Sequence, residues 1–319
     1  MKHYLGFDIG GTKCAVVIAE NNSSEVLDKI RFETKVSRGW RAVTDELLES
    51  AQNLLERNNL TNGDIVACGV SCGGPLDGKK GIIMCPPNLP DWDNVPLADI
   101  ITEKFGAPCK VCNDADACAL AEWQYGAGRG CENMIFLTFG TGMGAGLILG
   151  GKLYTGSCGM AGEVGHIRID PDGPVGYGKA GSFEGYCSGS GIAATAKGML
   201  SIYNGVTTIP RDNVTALTVA QAAENGDKLA NAIYRKCGTK LGHGIAILID
   251  ILNPERIVIG SIFERSGHLL EEAMRETVQK EALAISAGCC EIVPAMLGDA
   301  IGDYAALGVA KICAEEAAK

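Results

Sequence analysis

Two short apolar runs open the chain, Tyr4 to Asp8 and Ala15 to Ala19, and Gly10-Gly11-Thr12-Lys13 lies between them. This spacing predicts two strands joined by a tight glycine turn. Glu25 to Lys35 reads as a third strand. From Trp40 to Arg57 the period changes. Val43, Leu47, Leu48, Ala51, Leu54 and Leu55 recur at helical spacing, the mark of an amphipathic helix. Ile65 to Val70 is a buried strand, and strand, helix and strand in this order predict an α/β sheet packed with helices. A proline-rich loop around Pro86 to Pro90 precedes a short helix over Val95 to Phe105. Pro108 to Cys112 is a further strand, ending at Asn113-Asp114, where a helix over Ala115 to Tyr125 starts.

The second half begins the pattern again. Asn133 to Phe139 is a strand, Gly140-Thr141-Gly142-Met143-Gly144-Ala145-Gly146 a glycine turn, and Leu147 to Leu149 a return strand. Two units of strand, glycine turn with Thr, and strand suggest an internal duplication in which the two turns face each other. Helices follow over Ser190 to Tyr203, Thr218 to Asn225 and Lys228 to Leu252, then a strand, Ile257 to Gly260, and helices over His268 to Ala284 and Ala300 to Ala318. No linker interrupts the chain. The repeat puts the boundary near residues 114 to 130, with residues 1–115 and 302–319 forming one domain and 116–301 the other.

A length of 319 residues suits two such domains. Glycine makes up 43 of them, about 13% against a usual value of about 7%, so tight turns or close approaches of backbone to ligand are frequent. The net charge of −10 argues against nucleic acid as a main partner, although it leaves room for a local nucleotide site. No apolar run reaches the length of a membrane span, and the first strand begins almost at Met1 without a signal-peptide pattern. The expectation is a cytoplasmic protein with no membrane partner. Of the 14 cysteines, Cys68, Cys109, Cys112, Cys118, Cys237 and Cys313 sit inside apolar runs and read as buried thiols. Cys109-x-x-Cys112 resembles a redox or metal pair, but no second pair completes a zinc site.

The first turn has two readings. Adjacent glycines let backbone N–H groups approach an anion, Thr12 adds a hydroxyl, Lys13 a positive charge, and Asp8 a carboxylate able to hold a hydrated Mg²⁺. The plainer reading is a hairpin closed by Gly-Gly. The second turn at Gly140 to Gly144 strengthens the anion reading.

Asp8-Ile9-Gly10-Gly11-Thr12-Lys13, Asn113-Asp114-Ala115, Gly140-Thr141-Gly142-Met143-Gly144 and Gly162-Glu163-Val164-Gly165-His166 occur in the order seen in the ROK family. The chain resembles that family of sugar kinases and related transcriptional repressors over nearly its whole length. The resemblance implies the actin-like ATPase fold, an α/β architecture of two duplicated ribonuclease H-like domains around a central cleft. It implies ATP-dependent phosphorylation of a hexose or N-acetylated amino sugar at the 6-hydroxyl, with Mg²⁺ organised by Asp8 through water. Asp114 is the candidate general base, since phosphoryl transfer to a hydroxyl needs a carboxylate to accept the proton; its alternative role is a helix cap. Gly10, Gly11, Thr12 and Lys13 from one domain and Gly140, Thr141 and Gly142 from the other are implied to clamp the phosphates. Gly260 marks the adenosine wall, where Ser261 and Phe263 replace part of a glycine run and would narrow the pocket. The implied sugar contacts are Gly73, Gly74, Asn88, Asn113, Asp114, Glu163, His166 and Glu184. Homodimers or homotetramers are the family's usual assemblies.

One departure stands out. Family members place three cysteines after the histidine and hold a zinc with them; here Val175, Tyr177 and Ser182 occupy those positions. None is a good zinc ligand, so no zinc is expected and His166 is free of metal duty. The alternatives to a kinase are a repressor, disfavoured by the seven residues that precede Asp8 and by the acidic charge, and a sugar sensor with weak or no turnover.

Overall fold

A computed structural model describes residues 2–319. The chain folds as two compact units. The first comprises residues up to Arg129, with Gly156–Gly159 and Asp299–Lys319; the second comprises Gly130–Thr155 and Met160–Gly298. The division between them falls after the helix that begins at Asp114, which stays with the first unit.

The first unit contains β1 (His3–Ile9), β2 (Lys13–Glu20), β3 (Asp28–Glu33), α1 (Gly39–Arg57), β4 (Ile65–Cys72), a small hairpin of β5 (Leu76–Asp77) and β6 (Ile82–Ile83), α2 (Leu97–Phe105), β7 (Cys109–Asn113) and α3 (Asp114–Tyr125). The second contains β8 (Met134–Phe139), β9 (Met143–Ile148), a hairpin of β10 (Val175–Gly176) and β11 (Lys179–Ala180), α4 (Phe183–Tyr186), α5 (Gly189–Ile202), α6 (Ala216–Glu224), α7 (Lys228–Leu252), β12 (Arg256–Ile259), α8 (Ile262–Glu281), α9 (Ala284–Cys289) and β13 (Glu291–Pro294). Helix α10 (Ile301–Ala317) returns to the first unit.

The two main sheets share one plan. Strands run β3-β2-β1-β4-β7 in the first and β13-β12-β8-β9 in the second. In the first, β1 and β2 are antiparallel while β1, β4 and β7 are parallel. In the second, β8 and β9 are antiparallel while β8, β12 and β13 are parallel. The order β2-β1-β4-β7 therefore matches β9-β8-β12-β13 in sequence and direction, and the expected duplication is visible in topology. No helix among the described residues is long and apolar enough to cross a membrane.

Alternation along β1 divides the first core. Leu5, Phe7 and Ile9 join Val43, Leu47 and Leu54 of α1 and Ile101 and Phe105 of α2 on one face. Tyr4 joins Val17, Ala67, Leu307 and Ala310 on the other. On that second face α10 rests directly on the sheet backbone. A Cβ at Gly69 of β4 would lie 2.2 Å from Ala310 N and 2.3 Å from Ala306 O. Glycine in a strand interior here marks a close approach of another backbone.

Besides short hairpins and helices that the sequence pattern does not mark, three elements differ from it in an instructive way. Strand β9 begins inside the glycine stretch, at Met143, because the ladder from Phe139↔Met143 to Met134↔Ile148 tolerates Gly144 and Gly146. Helix α8 starts at Ile262, six residues before the expected His268, and absorbs a non-helical residue at Ser266 (φ −128°, ψ 17°). Strand β13, beside β12, has no counterpart in the pattern analysis; its four residues are too short to show a period.

Gly69→Ala is expected to destabilise the protein by about 3 kcal/mol, since neither atom it strikes is the end of a flexible side chain. Urea unfolding checks this against Gly63→Ala, whose nearest neighbour would be the Thr61 hydroxyl at 3.6 Å and which should stay within about 0.5 kcal/mol of the parent.

Candidate active site

Strands β1, β4 and β7 are parallel, and their carboxyl ends bring Asp8, Gly73, Gly74, Asn113 and Asp114 to one edge of the first sheet; Asp8 pairs with Ser71, and Cys72 with Asn113. Ligands of open α/β sheets bind outside such ends. The turn from Gly10 to Lys13 closes there, with Gly10 N donating to Lys13 O at 3.0 Å. The amides of Gly11 and Thr12, the Thr12 hydroxyl and the Lys13 ammonium find no partner among the described residues. Gly11 also admits the Asn88 backbone, whose carbonyl oxygen would be 2.4 Å from a Cβ, and Gly73 sits against the Asn88 amide group. Asn113 packs under Gly74 in the same way. Sequence motifs missed the residue that braces this turn. Thr34, fully buried after β3, donates its hydroxyl to Gly10 O at 2.6 Å and its amide to Thr12 O at 2.9 Å.

Two carboxylates share the edge. Asp8 is pushed up to about 6 by burial, then by the negative charges of Asp303 and Asp114, against the opposing pull of Arg31 and Lys29. Lys29 is committed to Asp303 at 2.5 Å. A buried anion among other anions is a place where a cation is favourable, so Asp8 suits a hydrated divalent metal. Asp114 opens α3 directly after the cap Asn113, and both side chains accept from Ala115 N, at 2.8 and 3.0 Å. Its side chain reaches solvent, yet close surrounding protein raises its pKa by desolvation, opposed by the backbone amides. Cap and candidate base are therefore compatible roles: Asn113 is the N-cap, and Asp114 keeps an oxygen that bonds no other residue.

The second unit repeats the turn. Gly140 N donates to Gly142 O at 3.1 Å, and the amides of Thr141 and Gly142 have no protein acceptor among the described residues. The start of α5 fastens it, Gly189 N donating to Gly140 O and Ser190 Oγ to Thr141 O, both at 2.8 Å. Beside it lies a cavity of about 620 Å³, lined by Thr141, Ser190, Val214 to Leu217, Tyr234, Ser261, Ile262 and Arg265 among others. Ser261 adopts φ 58°, ψ −106°, a strained backbone for a non-glycine residue, and its amide is held by Glu264 Oε1 at 2.6 Å. Gly260 does not line the cavity, and Phe263 is buried in the core. Of the two positions expected to narrow the pocket, Ser261 borders the cavity and Phe263 does not.

Glu163, His166 and Glu184 gather around β9. Glu163 precedes a single 3₁₀ turn, Val164–His166, and both it and His166 are exposed. Glu184 accepts from Met143 N at 3.0 Å, and its carboxylate lies where a Cβ on Gly142 would be, 2.7 Å away. The residue expected on the sugar therefore also touches the end of the second glycine turn.

The profile of the ROK family matches residues 4–316. The chain belongs to the ROK family. A glucokinase of Halalkalibacterium halodurans is 32% identical over 94% of this chain and 92% of its own length. The ROK glucokinase of Streptomyces griseus, solved in complex with glucose and AMPPNP, is 29% identical, covers 97% of this chain and 98% of its own, and superposes with a TM-score of 0.73. A xylose repressor of Caldicellulosiruptor bescii is 29% identical over 87% of this chain and 70% of its own length. Kinases and regulators of the ROK family thus share this actin-like ATPase fold.

Within this ROK chain the three positions that depart from the family's cysteine pattern carry other interactions. Val175 and Tyr177 are exposed, the latter edge-on to His166 with ring centres 6.2 Å apart. Ser182 is fully buried; its hydroxyl donates to Gly176 O at 3.3 Å and accepts from Gly185 N at 3.1 Å, capping α4. Tyr186 donates to Asp170 Oδ2 at 3.0 Å, and Lys240 of α7 reaches the same carboxylate at 2.6 Å. None of the 14 cysteines is in a disulfide, and no group of three or more His, Cys, Asp or Glu among the described residues could hold a metal ion.

Asp8 yields a sign-specific test. Its folded pKa lies above the unfolded value, so the ionised form costs stability in full above pH 6 or so and nothing below about pH 4, where both states are protonated. Asp8→Asn is expected to raise stability by about 1–2 kcal/mol at pH 8, a gain that vanishes near pH 4. Urea unfolding across this range checks it.

Proposed function

We propose that this ROK protein is an ATP-dependent sugar kinase acting on the 6-hydroxyl of a hexose or N-acetylated amino sugar. The observation that carries the reading is Asp114: a carboxylate with raised pKa and an uncommitted oxygen, on the same sheet edge as a turn with two free amides and a free lysine. A non-catalytic sugar binder requires none of these. Glucokinase relatives and the glucose and AMPPNP complex of a ROK enzyme support the substrate class.

In this reading Gly11, Thr12 and Lys13 bind phosphate oxygens from the first unit, and Thr141 and Gly142 from the second. Asp8 holds Mg²⁺ through water; the ion supplies charge neutralisation at the phosphates. Asn113, Asn88 and the Gly73-Gly74 backbone orient the sugar, with Glu163, His166 and Glu184 as contacts from the second unit. Asp114 accepts the proton of the attacking hydroxyl as the oxygen bonds to phosphorus.

Asp114→Asn is expected to lower kcat by about 10²–10⁴-fold with sugar binding retained. The acid limb of kcat/KM in the parent should lie above the ordinary carboxylate range, because desolvation holds Asp114 protonated to higher pH. A coupled ADP-release assay over a panel of hexoses and N-acetylhexosamines tests the whole reading. Tight sugar binding without sugar-dependent ADP release in the parent would favour the sensor instead.

Zinc has no part in the proposal. Elemental analysis of the purified protein is expected to find it well below one atom per chain, and stoichiometric zinc would reverse this.

A further inference from the structure

One charged residue lines the second unit's cavity, Arg265. It is exposed and makes no ion pair or hydrogen bond among the described residues. In a chain of net charge −10 that isolation has a visible origin. The residues at helical spacing from it, Ser261, Ile262, His268 and Leu269, include no acid, and the adjacent Glu264 is engaged with Ser261 N. Farther along α8 the contrast is plain, for Arg275 is bonded to Glu271 one turn earlier at 2.8 Å.

The cavity has a polar end and an apolar end. Gly140 and Thr141 form the polar end, and Ser261 borders it, its hydroxyl oxygen 3.7 Å from where a Gly140 Cβ would be. Arg265 lies one helical turn from Ser261, roughly 6 Å along the axis. That is a step away from the phosphate turn and into the region bounded by Ala193, Val214, Ala216 and Leu217. Leu217 is 66% exposed, so a flat apolar group entering here would cover it. Tyr234 fixes this wall by donating to Ala216 O at 3.0 Å.

We propose that Arg265 binds the nucleoside end of ATP, laying its guanidinium plane on the face of the base. This rests on the kinase reading and names the residue that sets nucleotide affinity within it. A planar guanidinium stacks on an aromatic ring while its cation is attracted to the ring face, and neither interaction needs a base-specific edge contact.

The test is direct binding of AMP and ADP by calorimetry to the parent, Arg265→Ala and Arg265→Lys, with steady-state kinetics alongside. Arg265→Ala is expected to weaken both nucleotides by a similar factor, about tenfold. Arg265→Lys should recover part of the loss. The KM for ATP should rise in parallel, with kcat at saturating ATP, sugar KM and Tm unchanged, because the side chain holds nothing in the fold. Unchanged nucleotide binding in Arg265→Ala overturns this inference alone. A loss that is larger for ADP than for AMP also overturns it, by making Arg265 a phosphate contact. Failure of the parent to bind either nucleotide overturns the kinase reading as well.

Discussion

A backbone amide that finds no acceptor in its own protein must find one in water or in a ligand, and this molecule depends on two pairs of such amides. Gly11 with Thr12 and Thr141 with Gly142 are left open by turns in which only the first glycine's amide donates back across the turn. Each turn joins two antiparallel strands, and the first strand of each pair has a parallel neighbour on its other side, which sends a further strand end to the same edge. The packing behind each turn serves to keep it fixed. Thr34 braces the first from β3, while Gly189 and Ser190 brace the second from α5. An anion is the ligand that suits unpaired donors on this geometry.

The acidic edge of the first unit is the counterpart constraint. Burial and the charges of Asp303 and Asp114 raise the cost of ionising Asp8, and Lys29 is already paired with Asp303. Asp114, partly desolvated, gains proton affinity suited to a base, whereas Asp8 becomes a site that a divalent cation relieves. Asp303 opens α10, the helix whose backbone rests on Gly69, so the fit of that helix to the sheet also sets the charge around Asp8.

How much of this the sequence disclosed follows from which residues had a local signature. Gly10-Gly11-Thr12 and Gly140-Thr141-Gly142 were legible as turns because glycines between two apolar runs mark a chain reversal. Asn113-Asp114 was legible because a strand ended and a helix began there. Thr34 was not, since its bonds to Gly10 and Thr12 join residues more than twenty positions apart. Gly69 carries no local signature of its role, because the α10 backbone it admits lies far along the chain. Phe263 was misread for lack of the helix start: once α8 begins at Ile262, Phe263, Leu270, Met274 and Val278 fall on one buried face. Ser261 could be flagged as a departure from a glycine run, but its positive φ is a property of the assembled turn.

The segment from Gly162 to Tyr186 shows how a loop can keep its course without the thiolates that the family resemblance leads one to expect. Ser182 supplies, from one of those positions, a buried hydroxyl that satisfies an amide and a carbonyl at once. Asp170 then ties Tyr186 to Lys240 on the long helix α7, and the Lys240 ammonium also lies 5.3 Å from the Tyr186 ring centre. Arg168, exposed, bridges the loop through Ala180 O at 2.7 Å. These contacts are individually modest, each of order 1 kcal/mol, but they converge on the one-turn helix that carries Glu184. Because Glu184 bonds Met143 N at the end of the second turn, the network fixes a carboxylate and the backbone of that turn together. Anchoring by these side chains therefore acts on the loop and on the second glycine turn together, through a single glutamate.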